Sequence, residues 1–83
     1  MPYLTEERKL ELATGLTPTT SGDLTYQIQQ AIQTYLKTDR VNFARLAEVL
    51  GILEAAKVDF VDRVLLPYER NKRTENGDVW SDD

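Results

Sequence analysis

The chain has no cysteine and no histidine. Disulfides are therefore excluded, and with them go the thiolate nucleophile, the commonest general base and the usual ligands of soft metals. Glycine is scarce: Gly15, Gly22, Gly51 and Gly77 are too far apart to build a phosphate-binding loop. No apolar run approaches the roughly 18 residues of a membrane span. Met1–Leu12 carries Glu6, Glu7, Arg8, Lys9 and Glu11, unlike a signal peptide. These absences point away from an enzyme and toward a cytoplasmic protein that needs no cofactor, no metal and no membrane.

Charge of one sign is also missing over most of the chain. The net charge is −4, but residues 1–40 carry −1, residues 41–74 carry +1, and Glu75, Asp78, Asp82 and Asp83 supply the excess in an acidic tail. A nearly neutral body offers no footprint for a phosphate backbone, so duplex nucleic acid is an unsuitable partner. Folding of so short a chain buries only about 63% of its extended surface, which is marginal for an isolated domain.

What is present is helical periodicity. The pattern predicts a single all-α domain of three helices. Thr5 caps a short helix over 5–13 that Gly15 ends. Thr20 and Asp23 form a capping box for a helix over 21–38. Leu24, Ile28, Ala31, Ile32 and Tyr35 lie on one face of it, with Gln29, Gln30, Gln33 and Lys37 opposite. Asn42 caps a long third helix over 43–73, stapled by Val41 and Leu46 and kinked or restarted at Pro67. Glu69 and Arg73 stand at i,i+4 for an ion pair. Residues 74–83 read as an irregular tail, with Asn76-Gly77-Asp78 as its turn. Helices two and three are expected to form an antiparallel hairpin.

The third helix has two apolar faces rather than one. Leu46, Val49, Leu50, Leu53, Phe60, Val61 and Val64 make a large stripe; Ala44, Ala47, Gly51, Ala55 and Val58 make a small one on the other side. A helix with two apolar faces must be covered twice, and little chain is left to do it. The small stripe, chiefly Ala44, Ala47, Gly51 and Ala55, is expected to receive either another helix of the same chain or a second subunit. A homo-oligomer, dimer or higher, is the resulting expectation.

Several side chains stand out as candidate binding residues. Lys57 intrudes on the large stripe; it either lays its methylenes on apolar surface beside Glu54 or meets an anionic ligand. Tyr26, with Gln30 and Gln33, suits a contact surface or a stacked base. Arg70, Lys72 and Arg73 form the one basic cluster, next to Tyr68, and Trp80 offers an aromatic in the tail. Tyr26, Lys57, Arg63, Tyr68 and Lys72 together would suit a small nucleotide ligand, the aromatics stacking and the cations meeting phosphate. Asp59 and Asp62, at i,i+3, would need a symmetric partner to hold magnesium, and pairing with Arg63 is the simpler expectation.

Met1-Pro2-Tyr3, Asp23-Leu24-Thr25-Tyr26, the run Val49-Leu50-Gly51-Ile52-Leu53-Glu54 leading to Lys57, then Arg63, Pro67-Tyr68-Glu69, Lys72 and Glu75-Asn76-Gly77-Asp78-Val79 have a shared resemblance. They resemble an uncharacterised family of small proteins encoded by phages and prophages that end in an Asn-Gly-Asp-Val-aromatic stretch. Thr25 stands where that pattern more often has asparagine, and Trp80 where it more often has tyrosine. The resemblance implies a phage genomic context rather than a mechanism, and by analogy of context an accessory factor acting on the host. Joined to the two-faced helix, the expectation is a non-catalytic protein that self-associates and engages a host component. The alternatives are a sponge for a nucleotide immune signal and, third, a magnesium-dependent nucleotide hydrolase assembled across subunits.

Overall fold

A computed structural model describes residues 4–80. Met1-Pro2-Tyr3 and the tail residues Asp82 and Asp83 lie outside them. The described residues are all-α, with no strand: α1 is Glu6–Ala13, α2 is Ser21–Leu36, α3 is Phe43–Phe60 and α4 is Leu66–Asn76, with a single π-helical turn, Val61–Leu65, joining the last two. Contacts divide the chain into two compact units, one running to Arg45 and one from Leu46 onward. The two units are described in turn.

In the first unit, local chemistry sets each helix boundary. The Thr5 hydroxyl accepts a hydrogen bond from the Arg8 N–H at 3.1 Å, while Glu6 and Glu7 sit in the first turn, where the helix dipole favours acids. At the other end Gly15 has a φ of 100°, a region that side chains with a Cβ avoid. Leu16 N–H then reaches back to the Glu11 carbonyl, and Gly15 N–H to that of Leu12, each at 3.2 Å. This six-to-one and five-to-two pair of bonds satisfies two of the orphan carbonyls at the end of α1.

The Thr20 hydroxyl caps α2 through the Asp23 N–H at 3.0 Å. The reciprocal half of the expected box is redirected: the Asp23 carboxylate accepts from the Thr19 N–H at 2.9 Å instead. α2 stops at Leu36, two residues before the expected end, as Thr38 N–H turns back to the Tyr35 carbonyl at 3.1 Å.

No basic residue lies in the last turn of α2, yet its carbonyls are served. The Arg45 guanidinium donates to the carbonyl oxygens of Leu36 at 3.1 Å, Asp39 at 2.8 Å, Arg40 at 3.3 Å and Tyr35 at 3.0 Å. It also lies 5.0 Å from the centre of the Tyr35 ring. A planar fork of five donors suits this cage of acceptors, and an ammonium does not. Arg45 is held in place because its own N–H is capped by the Asn42 side chain at 2.9 Å. Replacing Arg45 with lysine is expected to cost about 1–2 kcal/mol, from loss of two or more of these bonds. A chemical-denaturation midpoint unchanged by the substitution would show that water serves the carbonyls equally well.

In the second unit, residues from Leu46 to Asn76 are helical without interruption. The expected disturbance at Pro67 is placed just ahead of it. Leu66 N–H donates to the Val61 carbonyl, five residues back, which widens the turn before the proline. Proline has no N–H to give and its ring crowds the carbonyl four residues earlier; a wider turn relieves both, and Pro67 then sits in the first turn of α4, where it is tolerated.

The helix also outruns its expected end at Arg73, reaching Asn76. Gly77, with φ 84° and ψ 165°, closes it in a conformation nearly confined to glycine, its N–H bonded to the Arg73 carbonyl at 2.8 Å. That reversal brings Asp78 back toward the helix, so Arg73 pairs with Asp78 at 3.8 Å rather than with Glu69.

Candidate functional site

The first unit is organised around one carboxylate. Asp23 is the largest fully buried side chain among the described residues, with 1% of its surface exposed. Arg8 from α1 grips it in a forked pair, Nε to one oxygen at 3.0 Å and Nη2 to the other. The remaining guanidinium donors reach Glu11 at 2.9 Å and the Thr19 hydroxyl at 3.2 Å. Bidentate, charge-assisted bonds of this kind are the strong ones. The Arg8 bonds first, and the Thr19 N–H second, hold the Asp23 carboxyl well below the usual carboxylate range, against the opposing effect of burial. Arg8 is correspondingly raised, by Asp23 first and Glu11 second.

This knot clamps α1 onto α2 and leaves a shallow trough of about 390 Å³ beside it, lined by Leu12, Ala13, Tyr26, Gln27, Gln30, Ala31 and Thr34. Of the expected contact surface, Tyr26 and Gln30 share the trough. Leu12 forms its buried floor and Tyr26 is half-buried at its wall. Sequence reasoning read Asp23 only as a capping residue. Its signal was isolation: Asp23 is the only charged residue between Glu11 and Lys37.

The second unit shows apolar side chains to solvent along its whole helix. Leu50 is 69% exposed and Phe60 57%, and Ile52, Leu53, Val58, Val64, Leu65 and Leu66 are exposed as well. Val49 is the one buried apolar residue described in this unit. The small-stripe residues Ala44, Ala47, Gly51 and Ala55 are all exposed, and open space lies over Gly51. A shallow trough runs along this face between Gly51, Ala55 and Val58, edged by Glu54, Asp59 and Asp62.

The remaining candidates are spread along the same helix. Lys57, its side chain 70% exposed, lies 3.8 Å from Glu54. Arg63 bonds Asp59 at 2.8 Å, the pairing that the simpler reading of that carboxylate expected. Among the described residues no three acidic side chains gather closely enough to hold a metal ion. Lys72 lies 5.6 Å from the Tyr68 ring centre and 3.5 Å from Glu75. Lys72, Arg73, Asn76 and Trp80 line one depression at the helix end, with Trp80 itself largely exposed. Tyr68, Lys72 and Trp80 thus share one end of the second unit, Lys57 and Arg63 lie further back along its helix, and Tyr26 belongs to the first.

Chemically, these surfaces offer apolar contact area, amides, paired ions and aromatic rings, which suits binding. No described helix is long and apolar enough to cross a membrane. No curated protein and no solved structure gives a significant match to the chain. The family model described as Domain of unknown function (DUF6899) matches residues 1–79, and the chain belongs to that family.

Proposed function

We propose that this protein is a non-catalytic binding component, a phage-type accessory factor, that self-associates through its long helix and in that form engages a host component. The exposed apolar length of the second unit carries the reading. In a single copy Leu50, Ile52, Val58, Phe60 and Val64 all stand more than half exposed. Soluble monomers seldom leave so many large apolar side chains of one helix uncovered, and such exposure marks association sites. The phage context rests on the residue pattern from Asp23 to Val79 described above.

Sedimentation equilibrium tests the first half: a dimer or larger species at tens of micromolar is expected, and a monomer there overturns the reading. For the second half, the tagged assembly should retain a host protein that binds again when both are purified. Failure of that reconstitution for every retained protein would remove the host component.

A nucleotide sponge is the second reading. The observation that favours it is the grouping of Lys72, Arg73 and Trp80 around one depression, with Tyr68 beside Lys72. Saturation with a ligand at a hundred times its dissociation constant stabilises a protein by about 2.7 kcal/mol. Thermal shift against cyclic and linear nucleotides should therefore show a clear rise with one of them, and a flat panel would eliminate this reading.

A further inference from the structure

We infer that the long helix packs antiparallel against the same helix of a second copy, with the two-fold axis at the π-helical turn Val61–Leu65. The inference rests on the self-association proposed above and names its partner and geometry. Three observations on the second unit lead to it.

The first is charge segregation about that turn. Over residues 46–62 the helix carries Glu48, Glu54, Asp59 and Asp62 against Lys57 alone, a net −3. Over residues 63–76 it carries Arg63, Arg70, Lys72 and Arg73 against Glu69 and Glu75, a net +2. A parallel pair would set Glu54 beside Glu54 and Arg73 beside Arg73. An antiparallel pair sets the acidic half of each copy against the basic half of the other, twice over. Opposed potentials fix orientation and register in this way.

The second is the coincidence of axis and overlap. A two-fold near residues 62–63 lies inside the π-helical turn and close to the middle of the helix from Leu46 to Asn76. Overlap of the two helices is then nearly complete. The helix is about 46 Å long at 1.5 Å per residue. A contact of that length is sufficient to bury the roughly 1,200–2,000 Å² of a stable interface.

The third is the trough between Gly51, Ala55 and Val58, edged by Glu54, Asp59 and Asp62. In the antiparallel register Arg70 and Arg73 of the second copy, one turn apart on the same side of the helix, cross Ala55 and Ile52. Their alkyl stems meet the apolar floor and their charges meet the Glu54 edge. An unrelated acidic partner would find only half of this surface complementary.

The natural absence of cysteine makes the orientation directly measurable. Thr74→Cys, a nearly isosteric change at an exposed site, places one spin label on each copy. Double electron–electron resonance on the full-length protein is expected to give a separation near 35 Å, from about 23 residues of helical rise. A separation under about 20 Å in a species that sedimentation shows to be a dimer overturns the antiparallel pairing and leaves self-association standing. A monomer by sedimentation overturns both.

Charge reversal supplies the second measurement. Arg70→Glu, Lys72→Glu and Arg73→Glu together are expected to weaken self-association at least tenfold while helical content persists. Mixing that variant with one carrying Glu48→Lys and Glu54→Lys should restore association. Undiminished association of the triple variant would also overturn the pairing.

Discussion

Asp23→Ala is expected to release α1 from α2 and to lower the melting temperature by several degrees, more than any other single polar substitution in residues 4–45. The carboxylate is the shared acceptor of Arg8 and Thr19. Its removal leaves a guanidinium facing an empty, solvent-poor site and a backbone N–H without its acceptor. Asp23→Asn keeps the shape, but its amide would turn donors or only a neutral oxygen toward Arg8. It should recover part of the loss, and Asp23→Glu little, because the longer side chain cannot fit the same fork. Hydrogen exchange of the α1 amides, accelerated in Asp23→Ala while those of residues 66–76 stay unchanged, is the measurement. Melting within a degree of the parent would show that Leu12 packing alone holds α1.

The same pair sets an acid limb. Asp23 has a lower pKa folded than unfolded, where an ordinary aspartate titrates near 3.9. The unfolded chain therefore takes up the proton first as pH falls, and folding loses free energy. The contribution is fully present above the ordinary carboxylate range and erodes below about pH 4, down to the depressed native value. The gap in melting temperature between the parent and Asp23→Asn should thus be widest near pH 6 and narrow by pH 2.5. A gap independent of pH would assign the stability to packing rather than to charge.

The second large expected effect is the dependence of folding on protein concentration. Leu12 and Val49 are the buried apolar residues described, one in each unit. So small a core falls well short of what chain entropy demands, given about 1.5–3 kcal/mol for each fully buried large apolar side chain. If a second copy covers the long helix, folding and association are one equilibrium. A hundredfold dilution then removes about 2.7 kcal/mol per dimer, by the logarithmic dependence on concentration. At about 2–4 °C per kcal/mol for a folding unit of that size, the melting temperature should fall roughly 5–10 °C. Circular dichroism melts between about 1 and 100 µM measure this, and coincident melts would show that one copy is stable alone.

Helix positions were largely legible in the sequence because capping acts over three or four residues. Thr5, Thr20 and Asn42 each accept the N–H three residues on, as side chains of those types in those places must. Gly15 ends α1 for an equally local reason. The misplaced end of the third helix was local too, but competitive: Asn76-Gly77-Asp78 is read equally well as a free turn or as a helix stop. The choice fell to the bond from Gly77 to the Arg73 carbonyl. Candidate site residues were less legible. Lys57 with Glu54 and Arg63 with Asp59 were legible as local pairs one turn apart, whereas the alternative of gathering Tyr26, Lys57, Arg63, Tyr68 and Lys72 around one ligand depended on where the backbone places them.

By itself, then, the sequence determined the helical class, most helix boundaries and the two-faced character of residues 43–66, all properties set within one or two turns of chain. Tertiary structure alone decided what Asp23 and Arg45 do. Each bridges segments that no local rule brings together: Asp23 bonds an arginine 15 residues away, and Arg45 collects carbonyls five to ten residues before it. The accommodation of Pro67 is local too, but the residues alone left a kink and a restart open, and the backbone takes the five-residue bond of Leu66 to Val61 instead of a break. A periodicity records which faces are apolar, whereas the partner of a charge depends on where the backbone has already gone.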